Sequence, residues 1–182
     1  DWVASIAPEE FVPVFLPFLM ASNVHPNARG SFVGLCANHT RRHLLRSVYE
    51  GIVFCHRYHL EKLLATRTEA PVSIRLAGGA ARSAVWTQMF ADILQLPVQT
   101  VSANETGALG CAIASAVAVG DYPDLSAAAA AMSRIAEPVY PNPAYREIYN
   151  RKYALYCKTI DALDPLWDDM QALIETGASA QP

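Results

Sequence analysis

Gly78 and Gly79 stand side by side, with Ala80 after them and Ser83 three residues further on. They lie between an apolar alternation of strand period (Val72, Ile74, Leu76) and a run of helical period (Val85, Met89, Ile93, Leu96), with Gln88 and Gln95 off that stripe. Glycine allows a sharp bend or a close approach of the main chain, and Ser83 is placed to cap the helix that follows. A strand, a glycine turn and a helix N-terminus together can hold a nucleotide through main-chain groups. The same pair of glycines is also the ordinary mark of a tight turn, and both readings stay open. The chain has neither G-x-G-x-x-G nor G-x-x-x-x-G-K-[ST], which excludes a dinucleotide fingerprint and a P-loop.

Other residues capable of chemistry are less pointed. The four cysteines (Cys36, Cys55, Cys111, Cys157) are far apart and lack the C-x-x-C pairing of zinc or redox sites, so buried reduced thiols are expected. Of the five histidines, His39, His43, His56 and His59 fall in one helical stretch without H-E-x-x-H, and His25 stands in a loop. Arg41, Arg42, Arg46, Arg57 and Lys62 share one side of that stretch, which reads as a solvated face in preference to a phosphate patch.

The elements that would position these residues follow from periodicity. A short helix is expected around Pro8–Phe11, then an extended apolar run from Val12 to Met20 whose prolines suit a sheet edge. A loop spans 23–30, and Ser31–Leu35 forms a brief apolar run. The longest helix is expected over Asn38–Arg67, capped by Asn38 or Thr40, with Leu45, Val48, Tyr49, Ile52, Val53, Leu60, Leu63 and Leu64 inward and Gly51 at a close contact. A second strand is expected over Pro97–Ser102. Asn104 and Glu105 lead into a helix, Thr106–Val119, whose Gly107, Gly110 and alanines invite close packing, and Gly120 ends it. Leu125–Met132 reads as helix and Pro138–Pro143 as loop. Ala144–Leu163 reads as a helix with Tyr149, Tyr153, Tyr156 and Ile160 inward, and a short helix follows Asp164-Pro165.

With 182 residues, 52% of them hydrophobic and 17% charged, the chain can bury a core and carries no mark of disorder. A formal charge of -3, spread over 14 basic and 17 acidic residues, offers no field for nucleic acid. No stretch reaches the roughly 18 to 20 apolar residues of a membrane span, so a soluble, cytoplasmic chain without membrane contact is expected. It begins at Asp1 with no leader pattern, as a fragment or a processed chain would.

Three segments, in order, resemble the FGGY carbohydrate kinases over most of residues 12–163. The first is Gly30-Ser31-Phe32-Val33-Gly34-Leu35, then seven residues, then His43-Leu44-Leu45-Arg46-Ser47-Val48-Tyr49-Glu50. The second is Gly78-Gly79-Ala80-Ala81-Arg82-Ser83 with Trp86, Gln88, Ala91-Asp92 and Pro97-Val98, and the third is Glu105 to Ala112. Within the family, Phe15–Leu19, Ser22-Asn23 and His39–Leu45 look most like L-xylulose (3-keto-L-gulonate) kinases and xylulokinase-like members.

The resemblance implies an α/β fold: part of an actin-like (ribonuclease H-like) C-terminal domain of the sugar kinase/heat-shock protein/actin superfamily, helix-rich with a short remnant sheet. It implies ATP as cofactor, with Gly79 and Ala80 against the adenosine, Ser83 beside the base, Gly78 permitting the turn, and Gly107 and Gly110 packing behind. A sugar, transfer of the γ-phosphoryl to its hydroxyl, and Mg2+ are implied as well. The catalytic aspartate, the metal-associated acidic residues and the phosphate loops belong to family segments not matched here, so the missing N-terminal domain is an expected partner and a homodimer is possible. Residues 1–163 would be the later part of the C-terminal domain and 164–182 its tail, inactive alone. The alternative is a non-catalytic interaction module that docks through an exposed run of Phe11, Val14, Phe15 and Phe18.

Overall fold

The computed structural model describes residues 2–20, 22–101 and 105–179, with side chains through Thr176. The chain divides into two compact units, one built from both ends (Asp1–Thr68 with Ala144–Pro182) and one from the middle, Glu69–Pro143.

In the first unit, β1 (Val14–Leu16) pairs antiparallel with β2 (Ser31–Val33), and Phe15 faces Phe32 with ring centroids 4.7 Å apart. Two long helices, α1 (Arg41–Leu64) and α5 (Arg146–Leu163), pack with this hairpin, and α6 (Trp167–Ser179) follows a 3-10 turn at Asp164–Leu166. The aromatic stripe of α5 turns inward as expected: Tyr149, Tyr153, Tyr156 and Ile160 are all buried. Gly51 permits the hairpin to lie on α1, since a Cβ there would overlap the Phe15 carbonyl oxygen.

Helix α1 is capped by Thr40, whose N–H donates to His43 Nδ1 at 3.0 Å. That leaves the proton on Nε2, which donates to Glu10 Oε1 at 2.7 Å. His39 lies in the turn before the helix, where its Nδ1 accepts the Cys36 N–H, and so is not part of the helical stretch.

The buried face of α1 differs from the expected one. It consists of His43, Arg46, Ser47, Glu50, Gly51, Val53 and Phe54; among the apolar residues assigned inward only Val53 is buried, while Leu45 and Leu63 are exposed. Arg46 is likewise not on a solvated face. It is 4% exposed, bonds Glu50 through Nε at 2.8 Å, the Tyr149 hydroxyl at 2.8 Å and the carbonyls of Val3 and Ile6 at 3.3 and 2.5 Å. Lys152 Nζ meets the other Glu50 oxygen at 3.0 Å. A guanidinium is removed from water only where its donors are met, and periodicity scored on hydrophobicity cannot register that.

Those contacts also shape the N-terminal segment. The carbonyls of Val3 and Ile6 are held to Arg46, and residues 8–10 form a turn and a bend in place of the helix expected around Pro8–Phe11. In the apolar run Phe15 and Phe18 are buried, and Phe11 alone of the four docking residues is exposed, which removes the surface the interaction-module alternative required.

In the second unit, β3 (Ile74–Leu76) and β4 (Val98–Thr100) pair in parallel through the crossover helix α2 (Ala84–Leu94). Met89, Phe90, Ala91, Ile93 and Val98 are buried, while Val85 and Leu96 are only half-buried. Leu96 lies beyond the helix, which closes at Leu94 with Gln95 in the left-handed region at φ 58. Asp92 is buried and accepts from Gln88 Nε2 at 2.9 Å and from the Asn142 N–H at 2.7 Å. The Pro138–Pro143 stretch is thus more than a loop, since Val139 also exchanges hydrogen bonds with Val98 at 2.9 and 2.8 Å.

Helix α3 (Thr106–Ala118) packs with α4 (Leu125–Met132) and ends at Gly120, φ 87. No residue of α3 is buried, and a Cβ at Gly107 or Gly110 would meet nothing within 4 Å, so the close packing expected of that face is not made among the described residues. Ser102 and Asn104, the expected strand end and helix lead, lie outside the described residues. The thiols also depart from expectation: Cys36 and Cys111 are exposed, Cys55 and Cys157 half-buried, and all four are free.

Candidate functional site

Strand β3 ends at Leu76, and two residues later the main chain turns through Gly78 at φ 82, ψ -156, a conformation that a side chain would strain. Gly79–Arg82 is one 3-10 turn, closed by Ala81 N–H to the Gly78 carbonyl and Ser83 N–H to the Ala80 carbonyl, each 3.2 Å. Ser83 then caps α2: its hydroxyl accepts the Trp86 N–H at 3.2 Å and its carbonyl the Thr87 N–H at 2.8 Å. Gly78, Gly79, Ala80 and Ser83 therefore fall in one continuous turn.

Gly78 and Gly79 are exposed, and a Cβ built on either meets no atom within 4 Å; Ala80 and Ser83 are half-buried. The turn presents bare main chain and small side chains, on which a flat ring can lie. It stands after the carboxyl end of a parallel strand, where ligands of open α/β sheets bind. Arg82 Nη2 bonds Glu105 Oε1 at 3.0 Å, tying the turn to the residue that opens α3. The second and third motifs therefore meet here.

The first motif builds something else within its own unit. Its Arg46 and Glu50 form the buried ion network with Lys152 and Tyr149. The Arg/Glu spacing of i, i+4 was the sequence signal for this pair. Burial holds the Lys152 ammonium below its ordinary range, Glu50 works against that shift, and Arg46 adds to it.

The turn fits an adenosine moiety, which asks for surface and main-chain groups and no reacting side chain. Magnesium is different. Among the described residues no group of three or more His, Cys, Asp or Glu could hold a metal ion, so the residues present do not fit one.

The chain belongs to the FGGY family of carbohydrate kinases: residues 3–119 match that family's C-terminal domain. Its fold is accordingly part of an actin-like α/β domain, helix-rich with little sheet. It is 38% identical over 149 residues to the L-xylulose/3-keto-L-gulonate kinase of Escherichia coli (strain K12), covering 82% of this chain and 30% of that one. It is 35% identical over 161 residues to a protein of Pasteurella multocida (strain Pm70) named "Probable L-xylulose kinase", covering 88% and 32%. The crystal structure of xylulose kinase from Rhodospirillum rubrum superposes with a TM-score of 0.77 at 33% identity, covering 92% of this chain and 34% of that one. The chain thus spans about a third of the length of these relatives.

Proposed function

We propose that this chain is the ATP-binding C-terminal part of a sugar kinase, which transfers the γ-phosphoryl group of ATP to a hydroxyl of a ketopentose or related sugar. L-Xylulose and xylulose are the candidate sugars, from the names of its relatives. The observation that carries the ATP reading is the open glycine turn: Gly78 at positive φ, with free space over Gly79. Main chain at Gly79 and Ala80 supports the adenosine, Ser83 lies beside the base, and Gly78 allows the bend.

Phosphoryl transfer rests on positioning and charge stabilisation from several parts at once. This chain supplies the adenosine shelf; Mg2+ with its acidic ligands and one phosphate loop come from an N-terminal domain in the same kinase, acting in the cytoplasm, and another phosphate loop comes from the start of the second domain. Residues 1–163 form the later part of the C-terminal domain and 164–182 its tail. Buried Trp167 and the bond from Asn27 Nδ2 to Asp168 Oδ1 at 2.8 Å support a tail that docks on its own unit.

The test is a titration of ATP into the 15N-labelled chain, followed by amide shifts. The amides of Gly78–Ser83 are expected to move, and Gly79→Val, by placing a branched side chain where the base lies, is expected to weaken binding. Overpacking of about 1–3 kcal/mol corresponds to roughly a tenfold to hundredfold loss of affinity. If Gly79 is a turn residue only, the folded variant melts lower and binds ATP unchanged, which overturns the assignment. Ser83→Ala loses about 1 kcal/mol of capping in either case, and weaker ATP binding only if the shelf is real.

A further inference from the structure

Where β1, α1 and α5 meet, a cavity of about 30 Å³ opens between apolar walls from Phe15, Phe54 and Leu155 and a polar side made by Ser47, Glu50 and Lys152. Ser47 is 1% exposed, and its Oγ has no hydrogen-bond partner among the described residues. The Glu50 carboxylate already receives Arg46 and two contacts from Lys152 Nζ, at 3.1 and 3.0 Å. An ammonium carries three N–H groups, so one donor of Lys152 remains beyond those two contacts.

The space decides the size of the occupant. At about 30 Å³ it exceeds the ~10–15 Å³ that a water needs and is far too small for a sugar or a nucleotide. The polar groups decide its chemistry. An occupant here meets a donor in Lys152, an acceptor in Glu50 and a hydroxyl able to act as either. A halide would gain from Lys152 and be repelled by Glu50, whereas a molecule that both donates and accepts satisfies all three.

We infer that this cavity is a binding site for a single integral water, held by Ser47 Oγ, Lys152 Nζ and Glu50, which joins the buried ion network to the hairpin junction. Ser47 thereby gains a role within the His43–Glu50 stretch that neither ion pairing nor apolar packing gives it. The site is independent of the glycine turn and of the ATP reading.

A high-resolution crystal structure of the 182-residue chain tests it, together with water-to-amide Overhauser transfer at Gly51 in solution. The expected result is one fully occupied density peak within hydrogen-bond distance of Ser47 Oγ and either Lys152 Nζ or Glu50. That peak should stay unchanged when chloride is replaced by bromide, and Gly51 should show transfer from long-lived water. Ser47→Ala is expected to fold, by its circular dichroism and melt, and to lose both the peak and the transfer. No peak in the wild-type chain, an anomalous bromide signal at the site, or a peak that persists undiminished in folded Ser47→Ala would each overturn the inference.

Discussion

Glu50 ties the two long helices of the first unit together. It is 2% exposed and is the shared acceptor of two cations, Arg46 and Lys152, on different helices. Glu50→Gln leaves both cations buried without a counter-charge, and breaking a buried pair in this way costs about 3–5 kcal/mol. Urea denaturation should show that loss at low and at moderate salt alike, because a buried pair is screened far less than a surface pair. Arg46→Met combined with Glu50→Gln should cost less than the sum of the two single changes, which a double-mutant cycle reads directly. Additive costs would mean that the two side chains act separately. By contrast Arg82–Glu105 is solvent-exposed on both sides, and breaking it should change stability little.

The pairing of α1 with α5 shows what an element contributes beyond its residues. Phe54 of α1 lies against Tyr153 and Tyr156 of α5 with centroids 6.1 and 5.6 Å apart, and Arg57 sits 4.2 Å over the Tyr153 ring. Burial pushes both tyrosine hydroxyls well above the usual phenol value of 10.0; Glu61, which accepts from Tyr153 at 2.7 Å, and Cys55 beside Tyr156 push them further. The folded chain therefore keeps both protons after the unfolded chain has begun to release them. The stability tied to these groups is present in full below pH 10 and is lost as pH rises past it. A melt series from pH 8 to 11.5 should show the midpoint falling beyond pH 10, with the ring signals of Tyr153 and Tyr156 reporting ionisation only as the chain unfolds. Tyr156→Phe should flatten the fall. Ionisation of Tyr153 or Tyr156 in the still-folded chain near pH 10, read from their own ring signals, would contradict this.

At the scale of the whole chain, the proposed function makes the shelf one part of a phosphotransferase, and the described residues hold no cluster fit for a metal. The chain by itself is expected to hydrolyse no ATP and to phosphorylate neither L-xylulose nor xylulose, measured by coupled assay against a contaminant control. Turnover that co-purifies with the chain and disappears in Gly79→Val would overturn the view that the remaining parts are needed. Both ends of the chain build one unit and the middle builds the other, so a three-segment path separates the first motif from the second and third. Their order along the sequence says nothing about this division, because a unit closes on whichever segments bury each other's apolar faces.

Much of the local structure could be read directly. Ser83 as cap, the turn at Gly78, the stop at Gly120, the close contact at Gly51 and the inward tyrosines of α5 each follow from backbone freedom or a single helix period, which are properties of a few adjacent residues. The family could be read too, from motifs that are local strings, and the matched C-terminal domain agrees with it. What periodicity alone could not supply was the inward face of α1. Its leucines mark one side, yet Arg46 and Glu50 turn inward, because Val3, Ile6, Tyr149 and Lys152, remote in sequence, complete their hydrogen bonds. The same holds for α3, which packs with α4 yet leaves Gly107 and Gly110 without a close neighbour among the described residues. Whether a polar side chain can be buried, or a small one covered, depends on partners brought from elsewhere in the chain, and only the tertiary structure decides which partners arrive.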